Sequence, residues 1–527
     1  MLIRITSAKC IGINAYPVIV EVNVANGIGL HLVGLADAAV KESLLRTTTA
    51  LQSMGLKVPG RRIVINLAPA DMHKKGSGYD LPIALGIIAA SEQLEMPDLG
   101  RYVIMGELGL DGTVRSIPGT LPIVEMAQDS GFEGCILPRD SAMETLAFSK
   151  TKIYGVSSLA DVLAVVCRSP KMESLLLTRS SLLECREEDA QGNASCMDFA
   201  DIVGQEGAKR AMEIACAGKH HAIMVGPPGS GKSSLAKAMC RILPPMTMQE
   251  ALQTSKIYSV AGRADLRPGN VCTRPFRAPH CSISATALIG GGGDSISPGE
   301  ISLSHNGILY LDEFLELPKK TIEVLRAPLE DKRIVISRVR SKVEFPADFT
   351  LVAATNPCPC GYYGEGDRCT CSAGARNAYL AKLSGPIADR FDLQVWVSAV
   401  KTGSMLHRQK AESSAAVARR VAAARKIQEL RFAADGILYN SQMGNSHMDR
   451  YCKLTDECVE FLEQTGERTG MSARAFTRII KLARTIADLE TAAAWIADGS
   501  KGQPPLQNPI KLEHLAEAVS YRFLDRF

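Results

Sequence analysis

A short apolar run, Ala222-Ile223-Met224-Val225, delivers the chain into Gly226-Pro227-Pro228-Gly229-Ser230-Gly231-Lys232-Ser233-Ser234, and Leu235-Ala236-Lys237-Ala238-Met239 follows with helical character. This is G-x-x-x-x-G-K-[ST] set between a buried strand and a helix, a setting that turns a glycine-rich turn into a phosphate cradle. The glycines let successive backbone N–H groups face inward, and the N-terminus of the new helix adds positive potential. Lys232 is placed to reach the β- and γ-phosphates of ATP, and the Ser233 hydroxyl to take a position on Mg²⁺. The residues expected to touch the nucleotide are therefore Gly226, Pro227, Pro228, Gly229, Ser230, Gly231, Lys232, Ser233 and Ser234. A strand–loop–helix of this kind belongs to an α/β domain with a parallel sheet.

Two further strand ends supply matching chemistry. Gly307-Ile308-Leu309-Tyr310-Leu311 carries an apolar strand up to Asp312 and Glu313. Asp312 suits Mg²⁺ binding, and Glu313 suits activation of the attacking water. Acidic residues at a strand end are common, and it is the spacing from the phosphate loop that makes this pair informative. A third strand, Phe349 to Thr355, ends on the amide of Asn356. Between these elements lies a tract too rich in glycine, proline and arginine to be one helix, from Arg263 through "RPFRAPHCSIS" to Gly299; a mobile loop is expected there. Asp331 to Glu344 reads as a basic β-hairpin whose alternation separates Ile334 and Ile336 from Arg333, Arg338, Arg340 and Lys342. Cys358, Cys360, Cys369 and Cys371 form a C-x-C pair of pairs in a glycine-containing loop, able to hold Zn²⁺ tetrahedrally or to remain four free thiols.

With 527 residues the chain exceeds one core, and its pattern divides it. Residues 1–170 alternate strand-like and helical segments, as in Val18 to Val24, Asp37 to Arg46, Arg62 to Leu67 and Pro82 to Ala90. Residues 171–197 read as a charged linker, 198–400 as the nucleotide-binding domain and 401–527 as a helical lid, with Thr455 and Ser472 as helix caps. The net charge of +4 points to no nucleic-acid partner, so such a partner would have to be recognised by local basic patches. The first residues lack a signal-peptide core, and the longest apolar run, Leu81 to Ala90, is half of a membrane span. A cytoplasmic protein with no membrane partner is expected, its 15 cysteines serving as thiols or metal ligands.

The segments "GPPGSGKS", "ILYLDE", "AATNPCPCGYYG", "SGPIADRFDL" and "MSARAFTRIIKLARTIADL" together resemble the ComM (YifB) family, magnesium-chelatase-like AAA+ ATPases with a Lon-like N-terminal domain. The resemblance implies a Lon-protease-like α/β domain, a central AAA+ domain and a helical lid. It implies a homo-hexameric ATPase using Mg²⁺ and acting as a DNA branch-migration helicase in recombination and natural transformation. On this likeness Asn356 is the first sensor of the γ-phosphate, Arg390 an arginine finger reaching a neighbour's ATP, and Arg474 the second sensor, from the lid. Arg478 and Arg484 read as ordinary surface or interface charges. The bland reading of Arg390 is a salt bridge to Asp389 or Asp392. The basic hairpin resembles a pore hairpin, which makes Arg333, Arg338, Arg340 and Lys342 candidate DNA contacts. In the Lon-like module the nucleophile's slot falls on Gly78 and the lysine's on Leu121, with Ser77 out of register, so proteolysis is not expected. A magnesium-chelatase motor subunit and an AAA+ remodeller of a protein partner are the competing readings.

Overall fold

The computed structural model describes residues 2–526 apart from 36, 75, 98, 179–196, 264–272, 293–295, 339–340, 384, 400–410, 501 and 507. The fold class is the expected one: an α/β N-terminal domain, a central parallel sheet and a helical C-terminal region.

The N-terminal sheet has eight strands in the order Leu176–Leu177, Lys152–Val156, Gly134–Pro138, Tyr102–Ile104, Leu2–Ile11, Asn14–Ala25, Arg62–Ala68, Gly29–Val33. Leu2–Ile11 and Asn14–Ala25 form a long antiparallel hairpin, and the strands from 102 to 156 pair in parallel. Helix Asp80–Ala90 is buried along its whole length, which explains why its sequence shows no polar face. Its first residue, Asp80, is buried against the guanidinium of Arg46 at 2.9 and 3.1 Å and accepts the N–H of Leu108 at 3.2 Å. The last strand, Leu176–Leu177, carries this sheet past the expected boundary at 170. Most of the expected linker lies outside the described residues.

Elements of the central and C-terminal regions are labelled in chain order. Strands β1 (Ala222–Val225), β2 (Phe276–Arg277), β3 (Ile308–Leu311), β4 (Thr350–Thr355) and β5 (Leu393–Trp396) form a parallel sheet in the order β2-β3-β4-β1-β5. The helices are α1 (Glu206–Gly218), α2 (Lys232–Ile242), α3 (Ser414–Arg431) and α4 (Ala473–Ala497). Ser472 caps α4 by accepting the N–H of Ala475, and Thr455 caps the preceding helix, Asp456–Thr469, through Cys458, both as expected. One apolar core joins motor and lid: Met212, Met239 and Ile242 from α1 and α2 pack with Val421, Ile427, Ile479 and Ile486 from α3 and α4. The lid helices therefore complete the motor's own core rather than forming a separate one.

Of the tract from Arg263 to Gly299, residues 264–272 and 293–295 lie outside the described residues; its described parts form short elements, and a helix precedes them. Helix Met248–Val260 packs on the N-terminal domain's helix Thr120–Asp129. There Ser259 donates to Glu144 at 2.6 Å and accepts the N–H of Leu121 at 3.2 Å. "RPFR" supplies β2 at the sheet edge, and Gly290–Gly291 pairs with Ser297–Pro298. Arg484 is a correction. It is 3% exposed, beside Asp488, which also binds Arg431 and Asn440.

Candidate functional site: the phosphate loop and its surroundings

All four residues of β1 are buried, and Val225 stands in register between Thr355 of β4 and Trp396 of β5. The loop thus leaves the middle of the sheet at the carboxyl ends of the strands, the edge where open α/β sheets bind ligands. Gly226 donates its N–H to Thr355 at 3.2 Å, and a Cβ there would fall 2.1 Å from the carbonyl oxygen of Val397. Only glycine fits that approach. Gly229 and Gly231 have φ of 74° and 91°, the left-handed region that glycine enters without steric cost. No side chain caps the start of α2, which leaves its first N–H groups for an anion.

Lys232 is buried, and its ammonium donates to the carbonyls of Gly226 at 2.7 Å and Pro227 at 2.8 Å. Burial lowers its pKa, and the charge of Asp312 works against that. Ser233 donates to Asp312 Oδ2 at 3.0 Å and accepts the hydroxyl of Tyr310 at 3.1 Å. Asp312 Oδ1 also accepts the N–H of Glu313 at 3.0 Å. A hydroxyl and a carboxylate side by side at the end of a phosphate cradle are the donor set that Mg²⁺ takes in such sites. The cavity in front of them measures about 410 Å³ and is lined by the loop from Pro228 to Ser234 with Asp312, Glu313, Thr355 and Asn356. The structure therefore brings together every expected residue of the nucleotide site apart from Arg390 and Arg474.

Glu313 has φ 48°, unusual for a residue with a side chain. Such strain persists where surrounding structure enforces it, and it gathers at functional sites. The carboxylate of Glu313 near the thiol of Cys281 pushes that thiol's pKa up. Sequence reasoning missed this proximity, because Cys281 lies 32 positions away in a tract read only as a loop. Gln205, at the end of the Asp201-to-Gln205 segment expected on the AAA+ likeness to help bracket the adenine, donates to the loop carbonyl of Ser230 at 3.3 Å.

Arg390 and Arg474 occupy a second cavity, of about 260 Å³, at the opposite ends of the same strands, beside His221, Phe349 and Asp392. Lys219, Lys332, Arg478 and Lys481 add to its positive charge. Arg390 is 8% exposed and pairs with Glu330, not with Asp389 or Asp392. Its Nε is buried with no hydrogen-bond partner among the described residues. Asp392 instead pairs with Arg478 and with His220 at 3.0 Å, which hold its carboxyl well below the usual range despite burial. The expected placement of Arg474 beside this chain's own phosphates is not realised.

The basic hairpin forms, with one correction to its faces: Arg338 shares the face of Ile334 and Ile336, opposite Arg333 and Lys342, because alternate strand residues point the same way. Arg333–Arg338 pairs with Ser341–Pro346 in antiparallel register, with Ile334, Ile336, Val343 and Phe345 buried and Arg333, Arg338 and Lys342 exposed. Arg333 faces Glu344 at 3.4 Å, a surface ion pair that weakens its claim as a ligand contact. Arg340 lies outside the described residues. The four cysteines after Asn356 converge, their sulfurs all within 4.8 Å of one another. In the N-terminal domain a Cβ on Gly78 would meet Met105 Cε at 2.7 Å, and Leu121 is buried. Ser77 donates to Glu107, and Lys74 is buried and donates to the carbonyl of Pro69. Among the described residues no helix is long and apolar enough to cross a membrane.

A five-stranded parallel sheet with a phosphate loop after its inner strand β1, paired acids after β3 and an amide after β4 defines a P-loop nucleotide-binding motor. Comparison with known proteins makes this specific. Residues 198–405 match the family described as magnesium chelatase, subunit ChlI; residues 20–141 and 411–499 match two further families, subunit ChlI of Mg-chelatase and the ChlI C-terminal region. An uncharacterized protein YifB of Salmonella typhimurium is 40% identical over 519 residues, covering 98% of this chain and 96% of the relative. Competence protein ComM of Haemophilus influenzae is 40% identical over 522 residues, covering 99% and 97%. Lon protease 2 of Bacillus subtilis is 27% identical over 187 residues, covering 31% and 33%. The chain belongs to the magnesium-chelatase-like AAA+ family that includes YifB and ComM.

Proposed function

We propose that this chain is an ATP-hydrolysing, ring-forming motor that moves DNA, and that it works as a branch-migration helicase in recombination and DNA uptake in the cytoplasm. The exposed basic hairpin carries the DNA half of this reading: Lys342 stands on the solvent face of a ribbon whose other face, through Ile334, Ile336, Val343 and Phe345, is anchored in the motor core, and Arg338 is exposed at the tip, continuing that second face beside Gly291. Phosphate contacts from such a ribbon are insensitive to base sequence and sensitive to salt. The name of the Haemophilus relative, a competence protein, points the same way.

In this reading Lys232 leaves the carbonyls of Gly226 and Pro227 for the phosphates. Ser233 and Asp312 would hold Mg²⁺, which would supply positive charge against the phosphates. Glu313 takes the proton of the attacking water, and Asn356 orients that water. Arg390 and Arg474 face away from this chain's phosphate loop and act on the ATP of the neighbouring subunit in a hexamer. The partnerless Nε of buried Arg390 supports an incoming anion there. The N-terminal domain is a docking scaffold without protease activity, a reading supported by Gly78 and Leu121 standing where the nucleophile and its lysine would be.

The test is DNA-stimulated ATPase of Arg338→Ala/Lys342→Ala. The DNA reading expects basal turnover to persist while stimulation and DNA affinity fall about tenfold, with a shallower salt dependence. Unchanged stimulation would remove DNA from the account and favour a protein substrate.

A further inference from the structure

Immediately beyond Asn356 the chain makes a loop with no counterpart in the nucleotide chemistry so far described. Cys358 and Cys360 lie at its start, Cys369 and Cys371 at its end. The sulfur separations are 3.4 Å for Cys358–Cys360, 3.7 Å for Cys360–Cys369 and 3.8 Å for Cys358–Cys369. These are too long for disulfide bonds of about 2.05 Å. They match the edge of about 3.8 Å of a tetrahedron with metal–sulfur bonds of about 2.3 Å. All four sulfurs fall within 4.8 Å of one another, room for a single ion rather than an iron–sulfur cluster.

The loop is fastened to both sides of the ATP cavity. Gly361, at φ 85°, turns so tightly that a Cβ would lie 3.1 Å from Pro228 of the phosphate loop and 3.8 Å from the amide carbon of Asn356. Gly364 approaches Trp396 at the end of β5 just as closely, with 3.1 Å to Cζ2. Arg376 donates to the carbonyl of Cys371 at 3.0 Å and stacks over Tyr363 at 4.3 Å.

We propose that Cys358, Cys360, Cys369 and Cys371 hold one structural Zn²⁺, and that this zinc loop clamps Asn356 and Pro228 in the geometry needed for ATP hydrolysis. Asn356 would touch the nucleotide; the zinc loop is a positioning element that acts through it. The clamp rests on the ATPase reading above, whereas the metal site stands without it. With zinc bound, the loop leans on the sensor strand and the phosphate loop together. Without it, the two C-x-C turns lose their metal cross-link, and the loop's hold on Asn356 loosens.

The experiment begins with metal analysis of the full chain purified without added metal or chelator, and about one Zn²⁺ per chain is expected. Less than about a tenth of that, or iron in its place, overturns the site. Zinc is then removed from the folded wild-type protein with a thiol-blocking mercurial and chelator, and restored with thiol and ZnCl₂. Nucleotide affinity should stay within about threefold while kcat falls about tenfold or more and returns with zinc. Full kcat in the zinc-free protein overturns the clamp and leaves the site. Cys360→Ser/Cys369→Ser should lose zinc with the same split between kcat and affinity. Arg376→Ala keeps all four thiols, and it should retain zinc while lowering kcat. Zinc-loaded protein with no ATPase at all overturns the ATPase reading, and the clamp with it, while the metal count still tests the site.

Discussion

Glu313 combines a proposed chemical role with a backbone conformation that its side chain disfavours, and two substitutions separate the two. Its φ of 48° places it in the left-handed region, which costs about 1 kcal/mol for an ordinary residue and less for asparagine. Glu313→Gln keeps the strain, the length and the neighbouring Ser233–Asp312 pair, and it removes the base. Loss of a general base is expected to lower kcat about 100-fold or more, while ATP affinity stays within about threefold. Glu313→Asn removes the base and relieves the backbone, recovering about 1 kcal/mol and raising the unfolding midpoint of the nucleotide-free chain by about 1–3 °C. Steady-state ATPase, equilibrium binding of a fluorescent ATP analogue and thermal unfolding read the three quantities. Near-normal turnover in the Gln variant would refute the assigned base. An Asn variant that turns over normally, or melts below wild type, would refute the link between strain and function.

Three other perturbations test separate parts of the structure. Asp488 is fully buried and accepts Arg431 at 2.7 and 2.5 Å, Asn440 at 2.8 Å and Arg484 at 3.2 Å; Asp488→Asn leaves two buried guanidinium groups uncompensated and should destabilise the lid by about 3–5 kcal/mol in denaturant unfolding. His305 is buried and accepts the N–H of Asp348 at Nδ1, 3.0 Å away; burial lowers its pKa from the usual 6.5 to about 4. The unfolded chain therefore binds the extra proton first, so the contribution is intact above about pH 6.5 and lost as pH falls towards 4, up to about 3 kcal/mol, and His305→Asn should flatten that slope. Mixed rings of Arg390→Ala and Lys232→Ala subunits should recover part of the activity that each lacks alone. Stable mixed rings without recovery would place Arg390 outside a neighbour's site.

Legibility in the sequence followed locality. The phosphate loop, the Asp312–Glu313 pair and Asn356 announced themselves, since each is a short segment whose chemistry depends on its own strand end. The existence of the hairpin was readable from alternation, though Arg338 at its tip falls on the apolar face, and the caps Thr455 and Ser472 were readable from residue type and position. What depended on distant partners was not readable. Arg484 looked like a surface charge, and its burial arises because Arg431 from α3 and Asn440 from the loop after it share Asp488 with it. Arg474 was placed by family likeness beside its own ATP, whereas the packing of α4 on α1 and α3, with Arg478 paired to Asp392, carries it to the Arg390 cavity. Strand β2 is two residues long, too short for any periodicity, and sat inside a tract read as a loop. Cys281 reaches Glu313 only through that tract's fold.

The central claim is that ATP turnover in this chain is coupled to DNA through exposed basic residues. ATPase rates of the wild-type chain without DNA and with single-stranded, duplex and branched DNA, measured across a salt series, test it most directly. The account predicts stimulation of about tenfold by single-stranded or branched DNA that declines steeply with salt. Equal rates in all four conditions at low salt, from a chain that binds and hydrolyses ATP, would contradict it.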